Sequence, residues 1–448
     1  MTTGASQRFH LPWLWTALGR QLRKVPGLTA RLRAASGTRI ERRVIGGLVA
    51  HASWLIWPFG WLLHRFGYRF VVNVAVGTGH IVSDVDHFLR LKRSGEIDGS
   101  ARYVLILRDH DLSYGFVEVY GHHFAVCRAS TRLFLIAALI WLAYPKLQVD
   151  CGLSRLKYRL KDAGDVTLEP PFQQSISKLQ GYRNWIAYYQ LRARTADYQP
   201  LRDGAWRAPE LDRILDQDAQ IALVHVKSGA SNATAQATDA ETYLPALDHL
   251  TGLGFTAVKI GTETMPAAFR RAGVLDYPQS PVARFANDLR LVKRARIVLC
   301  SGSGVGWLPC VMDVPQVYAN FWHLFTPPFS QFCVMVPTLV RRRSDGRYLS
   351  FDEQFSLYLD RREFGPELFP FETHDPVNAS ADEILEAVKE SLAIADEAPP
   401  LTAQQRRYRA LDPDGWLASA PARISAYFIA QHADILERSR PFVPRQED

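Results

Sequence analysis

The most distinctive local pattern in the chain is the run CSGSGVG at residues 300–306, which follows the apolar segment IVLC. Small residues let backbone N–H groups approach an oxyanion, and the beginning of a helix adds partial positive charge. No Gly-Lys-Ser/Thr follows, so the run is not a Walker-type P-loop. Two interpretations remain open, a phosphate cradle and a tight turn. In the first, the contacts would come from Ser301, Gly302, Ser303 and Gly304.

A second loop of this kind, HVKSG, ends the apolar segment that begins at Ile221. An imidazole and an ammonium beside a glycine suit a pyrophosphate, although a histidine on an apolar strand is also typical of a buried core. Both loops end predicted strands of one sheet, and ligands bind at the carboxyl ends of such strands. We therefore predict diphosphate binding. The predicted contacts in and beside this loop are His225, Lys227, Ser228, Gly229 and, after a later strand, Asn320.

A third pattern, GTGHIVSDVDHF at residues 77–88, crosses from a strand into a helix. It lacks the third glycine of a dinucleotide fingerprint, since Val82 stands there. Transfer of a group to a hydroxyl needs a base, and we predict His80 first and Asp86 second. The alternative is that these residues only shape the turn and the helix start. Asp84 and Asp86 have metal-binding D-x-D spacing, but on a helix they point about 200° apart, so we predict no metal site.

Apolar segments of strand length alternate with helical patterns in two separate blocks, which predicts an α/β protein with two parallel-sheet, Rossmann-like domains. The five cysteines have scattered spacings, typical of buried thiols rather than of disulfides or a zinc site. The predicted units are a basic, partly apolar arm (1–69), an N-terminal acceptor domain (70–150), a helical connector (151–218), a C-terminal donor-binding domain (219–362) and a C-terminal helical region (363–448).

The positive charge of the chain is confined to its beginning. Residues 1–50 contain nine Lys or Arg and one acid, whereas the whole chain has 53 bases and 45 acids, so the remainder has 44 of each. A neutral body argues against a nucleic-acid partner and favours attachment of the arm to an anionic surface. Residues 44–70 are rich in tryptophan, which predicts insertion at a membrane interface, with a spanning helix and a buried helix as alternatives. Residues 133–144 are too short to span and predict a core helix or part of the same membrane-facing surface.

These patterns together resemble a family of bacterial glycosyltransferases associated with surface-polysaccharide synthesis. From about Ile221 to Phe355 the resemblance rests on four blocks, HVKSG, AETYLPALDHLTGLGFTAVKIG, SGSGVGWLPCVMDVPQVYANF and RRRSDGRYLSFDEQF. Their order and spacing are more specific than any single block. GTGHIVSDVDHFLR resembles the N-terminal block of the family, with Gly79, His80, Asp86 and Arg90 as the matching positions.

More distantly, the His-Val-Lys turn is similar to the donor-phosphate loop of fucosyltransferase-like enzymes, and the Ser-Gly-Ser-Gly turn to that of heptosyltransferases. The resemblance implies the two-domain GT-B architecture and metal-independent transfer without a cofactor. It implies a nucleotide-sugar donor, a glycan or lipid-linked acceptor and a cytoplasmic site at the inner membrane. Lys227 stands where the family has arginine, which keeps the charge but not the bidentate grip. The alternative function is a non-catalytic, membrane-associated scaffold of a polysaccharide assembly machine.

Overall fold

Two α/β units, each built on a parallel sheet, account for most of the described part of the chain, which confirms the predicted mixed α/β class. The computed structural model describes residues 55–72, 77–151, 153, 158–159, 167–168, 178–202, 206, 208–227, 237–321, 328–359, 369–413 and 415–442.

The first unit alternates strands and helices, so that each parallel strand is reached through a helical crossover. Its sheet has the order β3-β2-β1-β4. The second strand is mostly buried and apolar over the segment YVLIL, because helices cover the sheet there. A helix over 55–65 (α1) precedes β1 (Tyr68–Val72), and α2 (Thr78–Ser94), β2 (Arg102–Leu107), α3 (Asp111–Tyr120), β3 (Val126–Ala129), α4 (Thr131–Ala143) and β4 (Gln148–Asp150) follow in that order.

Helices α1 and α4 pack together on the outside of the first unit. A side chain at Gly60 would overlap Tyr144, and the rings of Trp57 and Tyr144 lie 5.6 Å apart. The segment 133–144 is therefore helical as predicted, with Trp141 buried and Ile136 exposed. Within the described residues, no helix is long and apolar enough to span a bilayer. The rest of the predicted interfacial segment, residues 44–54, lies outside the described residues.

The stretch between the two sheets contains one long helix and two short strands. Its long helix carries aromatic and basic residues that contact both units, as described below. The elements are β5 (Tyr158–Arg159) and β6 (Thr167–Leu168), which pair antiparallel, and α5 (Lys178–Arg194).

The second unit has a seven-stranded parallel sheet with the order β15-β12-β11-β10-β7-β8-β9. Its central strands are buried along their whole length, which explains why they are recognisable as continuous apolar runs. Its elements are β7 (Ile221–His225), α6 (Leu244–Gly252), β8 (Thr256–Lys259), α7 (Ala267–Arg271), β9 (Leu275–Asp276), α8 (Phe285–Arg294), β10 (Ala295–Ser301), α9 (Trp307–Met312), β11 (Gln316–Phe321) and β12 (Cys333–Pro337).

The region predicted as helical beyond residue 362 also contains two strands, so that prediction was incomplete. One strand forms an antiparallel pair with residues before 362, and the other joins the edge of the second sheet beside β12. The remaining elements are β13 (Leu339–Arg342), α10 (Phe351–Leu359), β14 (His374–Val377), α11 (Ala381–Asp396), α12 (Ala403–Arg409), α13 (Trp416–Ser419), β15 (Arg423–Ile424), α14 (Ala426–Gln431) and α15 (Ala433–Arg438). Short 3-10 helices occupy Gly121–His123, Pro145–Leu147, Leu211–Arg213, Ala240–Tyr243, Tyr277–Gln279 and Gly304–Gly306.

A buried ion-pair cluster joins the first unit, the connector and the second unit. Asp86 Oδ2 on α2 accepts hydrogen bonds from Arg90 Nε and Arg192 Nη1, both at 2.8 Å, and from the Tyr188 hydroxyl at 2.5 Å. Arg192 reaches onward to Asp313 at the end of α9, at 3.1 Å. Because Arg192 lies on α5, the connector binds both units through one guanidinium.

The prediction that Asp86 is a base facing a cleft is wrong, because its side chain is fully buried in this cluster. Burial alone would raise the pKa of Asp86, but the charges of Arg192 and Arg90 lower it below its ordinary value. The carboxylate is therefore ionised and held by three donors. Its role is to fix the position of α2.

The cluster predicts a large stability loss for Arg192→Leu. This change leaves the buried carboxylates of Asp86 and Asp313 without their shared partner, and breaking a buried pair costs about 3–5 kcal/mol. The control is Arg93→Leu, because the ion pair of Arg93 with Asp197 is exposed at both ends, and such pairs are worth about 0–1 kcal/mol. Urea unfolding measures both. Equal, small losses in the two variants would contradict the structural role of the cluster.

Candidate functional site

Each sheet has one point at which the strand order reverses, between β1 and β4 in the first unit and between β7 and β10 in the second. In open α/β sheets, ligands bind in the crevice at the carboxyl ends of the strands beside such a point. The residues that follow β1, β7 and β10 are 77–80, 226–227 and 302–306 in the described part of the chain. The three predicted site segments that follow these strands therefore lie at the two points of strand-order reversal.

The two reversal points face each other in direct contact. A Cβ atom built on Gly79 would overlap the indole of Trp307 and lie 3.0 Å from the carbonyl oxygen of Gly304. A Cβ atom on Gly304 would lie 3.3 Å from the backbone nitrogen of Gly79. Only glycines allow this approach. As a result, the first turn of α2, which carries His80, lies against the Ser-Gly loop of the second unit.

The indole of Trp307 is held in place by neighbouring aromatic rings. It stacks on Trp185 of the connector at 5.4 Å and on Phe329 of the second unit at 5.3 Å, measured between ring centroids. The sequence patterns did not single out these rings, because their partners come from three distant parts of the chain. Together these rings hold the Trp307 indole in the position where Gly79 packs against it.

Both serines of the loop form hydrogen bonds with other groups of the protein. Ser301 is buried, and its Oγ accepts the backbone N–H of Lys227 at 2.9 Å, which ties the loops after β7 and β10 together. Ser303 Oγ accepts the N–H of Val305 at 3.2 Å and so caps the helical turn. The Tyr318 hydroxyl accepts the N–H of Ser303 at 3.0 Å and donates to the carbonyl oxygen of the same residue. The exposed group of the loop is therefore the backbone of Gly304.

His225 lies beneath this loop and is almost fully buried. Its Nδ1 is 3.2 Å from Ser303 Oγ, and its Nε2 is 2.9 Å from Glu263 Oε2. Since Ser303 Oγ already accepts from Val305, its proton is available to Nδ1, which leaves Nε2–H to donate to the carboxylate. A serine, a histidine and an acid in series resemble a hydrolytic triad, but here the serine is buried and occupied as a cap. The arrangement positions the loop.

Glu263 is the residue of this site that the sequence patterns missed. Burial would raise its pKa, but the hydrogen bond from His225 and the charge of Lys227 lower it to about 2. The available signal was its place two residues after Gly261, in the loop that follows β8, the neighbour of β7. Gly261 has a φ of 89°, and a side chain there would overlap His225.

Lys227 is half-buried at the end of the β7 loop, with its charge close enough to Glu263 to lower the pKa of that carboxyl. The backbone and side chain of Lys227 thus lie beside both the Ser-Gly loop and the acid. The next two predicted donor contacts, Ser228 and Gly229, lie outside the described residues. Gly302 is buried within the loop.

The prediction that Asn320 contacts a donor is wrong, because all of its side-chain groups are used internally. It is fully buried with a φ of 52°, its Nδ2 donates to Tyr243 at 3.3 Å and to Thr238, and its Oδ1 accepts the N–H of Ala379 at 2.7 Å. It joins the end of β11 to the segment before α11. A polar residue after a strand was mistaken for a ligand contact because its partners lie far away in sequence.

His80 is half-buried, and burial lowers its pKa to about 4. The imidazole is therefore neutral near pH 7. Among the described residues, no group of three or more His, Cys, Asp or Glu side chains could hold a metal ion. Metal independence itself stays a prediction.

No family model matches the chain, and no curated protein matches it. Similar solved structures are heptosyltransferases and other glycosyltransferases. The ADP-heptose lipopolysaccharide heptosyltransferase II of E. coli is 12% identical, with a TM-score of 0.38 over 73% of this chain and 99% of that one. A family 9 glycosyltransferase of Veillonella parvula is 10% identical, with a TM-score of 0.43 over 73% and 97%. The iron-containing glycosyltransferase TibC of enterotoxigenic E. coli is 13% identical, with a TM-score of 0.38 over 73% and 77%. At TM-scores below 0.5, these likenesses assign neither fold nor activity to this chain.

The hydrogen bond between Glu263 and His225 beneath the loop predicts a pH-dependent contribution to stability. We expect Glu263→Gln to lower the free energy of unfolding at pH 7 by about 1.5–3 kcal/mol, the range for hydrogen bonds to charged groups. The pKa of Glu263 is below its ordinary value of 4.5, so its stabilisation is complete above pH 4.5 and is lost as pH falls towards about 2. The difference between wild type and variant should therefore shrink below pH 4.5.

Chemical denaturation at several pH values between 3 and 7 measures this difference. The matched control is Glu241→Gln, since Glu241 forms an exposed ion pair with Arg271 in the same unit. A Glu263→Gln difference that stays constant down to pH 3 would show that the carboxylate is not held ionised by His225.

Proposed function

We propose that this protein is a glycosyltransferase that moves a sugar from a nucleotide-sugar donor to an acceptor bound by the first unit. One observation carries the proposal: the strand-order reversals of two Rossmann-like sheets face each other, with Gly79 against Gly304. From this juxtaposition we infer two ligand crevices that open towards one another, as the GT-B architecture implied by the sequence resemblance requires.

The donor would lie on the second unit, with its diphosphate beside Lys227 and the exposed backbone of Gly304. Fixed donors and a lysine charge can neutralise a leaving diphosphate by preorganised electrostatics. The hydrogen bonds of Ser301, Ser303 and His225 support this electrostatic role, because they hold the loop in one conformation before a ligand binds. They act as supports for the donor loop rather than as direct contacts.

The acceptor would lie on the first unit beside His80. In the proposed step, the acceptor hydroxyl oxygen forms a bond to the anomeric carbon, and its proton passes to the His80 imidazole. The bond between that carbon and the diphosphate oxygen breaks, and the electron pair leaves with the diphosphate near Lys227. A neutral imidazole at pH 7 is the form that such a step needs. A glycan or lipid-linked acceptor of surface-polysaccharide synthesis, used on the cytoplasmic side, fits the sequence resemblance.

The donor assignment predicts that Lys227→Ala weakens binding of the donor by about 1.5–3 kcal/mol, since a charge-assisted bond is lost. Lys227→Arg should keep or improve the affinity, because the guanidinium restores a bidentate fork. Titration calorimetry with the best ligand from a panel of UDP, GDP, ADP and CMP sugars measures this effect. Lys389→Ala is the control, because Lys389 pairs with Glu386 on the surface of α11.

Unchanged donor affinity in Lys227→Ala would remove this loop from the site. A wild-type protein that binds none of the nucleotide sugars would support the scaffold function instead.

The acceptor assignment predicts that His80→Ala lowers kcat by about 10²–10⁴-fold with little change in donor affinity. The pKa of about 4 places the acidic limb of the wild-type kcat/KM profile near pH 4, with activity lost below it as the imidazole is protonated. His122→Ala is the control, because His122 is an exposed histidine of the same unit. Steady-state kinetics over pH 3.5–8 provide the measurement.

His80→Asn separates the two interpretations of this residue. If His80 only shapes the turn, the amide restores most of the activity, and His80→Ala is visibly destabilised. A His80→Ala enzyme with full kcat and normal stability would exclude both roles.

A further inference from the structure

One face of the first unit exposes far more apolar surface than the rest of the described chain. Eight of the twelve large apolar side chains exposed in the described residues belong to α1, to the turn after it and to α4. The other four, Tyr114, Val126, Leu253 and Tyr427, lie outside these elements. Scattered single side chains are normal on soluble proteins, whereas a contiguous group marks an interaction site. The eight are Leu55, Trp57, Phe59, Trp61, Leu62, Phe66, Leu133 and Ile136, and they are called the outer face below.

The outer face is continuous because α1 is fixed to α4. Gly60 lies directly on Tyr144, and the rings of Trp57 and His64 pack edge-on against Tyr144 at 5.6 and 5.5 Å. The packed side of α1 is thus occupied, and the exposed fractions of Leu55, Phe59 and Phe66 are 77%, 65% and 61%. Solvation of so many large apolar side chains is costly, so we expect this face to be covered.

The two segments that form the outer face carry only positive charge. Residues 55–70 and 131–147 contain no Asp or Glu, and they contribute four Arg or Lys residues. Arg69 Nη1 donates to the carbonyl oxygen of His64 at 3.1 Å. Burial lowers the pKa of His64, and the charges of Arg69 and Lys146 lower it further. The 54 residues that lead into α1 add nine Lys or Arg against one acid.

These properties exclude a second copy of this chain as a good partner. A symmetric dimer would place the same surface against itself, and two basic rims of like charge would repel. Nucleic acid would use the cations and could stack on the aromatic rings, but it would leave the exposed leucines and isoleucine of the face without a role. An anionic lipid surface satisfies both, because aromatic rings favour the headgroup region and basic residues attract anionic lipid.

We propose that the outer face docks this protein on the surface of an anionic lipid bilayer. The described part of α1, residues 55–65, is about 16 Å long, and in this proposal it lies in the interface plane. The docking does not depend on the transferase activity proposed above.

The position of the outer face adds a consequence that does rest on the proposed function. Helix α4 runs antiparallel to the strands, from Ser130 at the carboxyl edge of the first sheet to Tyr144 at the amino edge. The apolar face therefore extends from α1 towards Leu133, on the edge where His80 lies. A lipid-linked acceptor could reach the site along this face without leaving the membrane surface.

Vesicle co-sedimentation of the full chain without any donor tests the docking. Vesicles of phosphatidylcholine alone are compared with vesicles that also contain phosphatidylglycerol. We expect wild type to prefer the anionic vesicles. The triple variant Leu55→Ser/Phe59→Ser/Phe66→Ser changes the most exposed positions and should lower the partition coefficient by at least about tenfold, because apolar burial is lost. The control, Leu253→Ser/Tyr427→Ser, removes exposed apolar side chains elsewhere and should bind like wild type.

The charge contribution is tested separately with Arg65→Gln and Lys146→Gln. Each should lower affinity for anionic vesicles by about fivefold and leave binding to neutral vesicles unchanged. Thermal melting and donor binding confirm that every variant is folded, so failed docking is distinguishable from failed transferase function.

Three results would overturn the proposal. One is a wild-type protein that binds neither kind of vesicle. Another is a triple variant that binds as wild type does. The third is a wild-type dimer in light scattering that the triple variant loses while vesicle binding is unchanged, since the face would then join two copies of the chain.

Discussion

The arrangement of this protein depends on a buried carboxylate. A charge removed from water is stable only when it is paired, and Asp86 obtains its partners from Arg90 on its own helix and from Tyr188 and Arg192 on the connector. Arg192 in turn pairs with Asp313. Asp86 lies two turns after Gly79 on α2, and Asp313 follows the helix that begins just after Gly304. The same ion pairs that join the units therefore set the distance between the two strand-order reversals.

Around the contact between the units, polar side chains mostly support one another. Ser301 ties two loops together, Ser303 caps a helical turn, and His225 connects Ser303 to the ionised Glu263. In the proposed site, backbone groups and Lys227 would contact the donor. These supports fix the shape of the loops before binding, which would reduce the reorganisation that the proposed transfer requires.

The strands and the two-sheet organisation were predictable from the sequence because buried parallel strands leave continuous apolar runs. The loops after β7 and β10 were recognisable as neighbours for the same reason, since both end such runs. Burial depth was not predictable. Asp86 and His80 occupy similar positions in the pattern, yet Asp86 is buried beneath Tyr188 and Arg192, both more than a hundred residues away. Asn320 was misassigned because its partners, Thr238, Tyr243 and Ala379, are 59 to 82 residues away. Glu263 was missed because a single acid in a loop has no pattern.

The contact between Gly79 and Trp307 has a kinetic consequence. A sugar ring cannot pass where a methyl group cannot fit, so in the proposed reaction the substrates would approach from either side of this contact or wait for the units to separate. Separation would pull apart Asp86, Arg192 and Asp313, whose attraction is shielded from salt by burial. Any rate-limiting opening motion would therefore be slow and insensitive to ionic strength, whereas lateral access would leave exchange of substrates and products close to diffusion control.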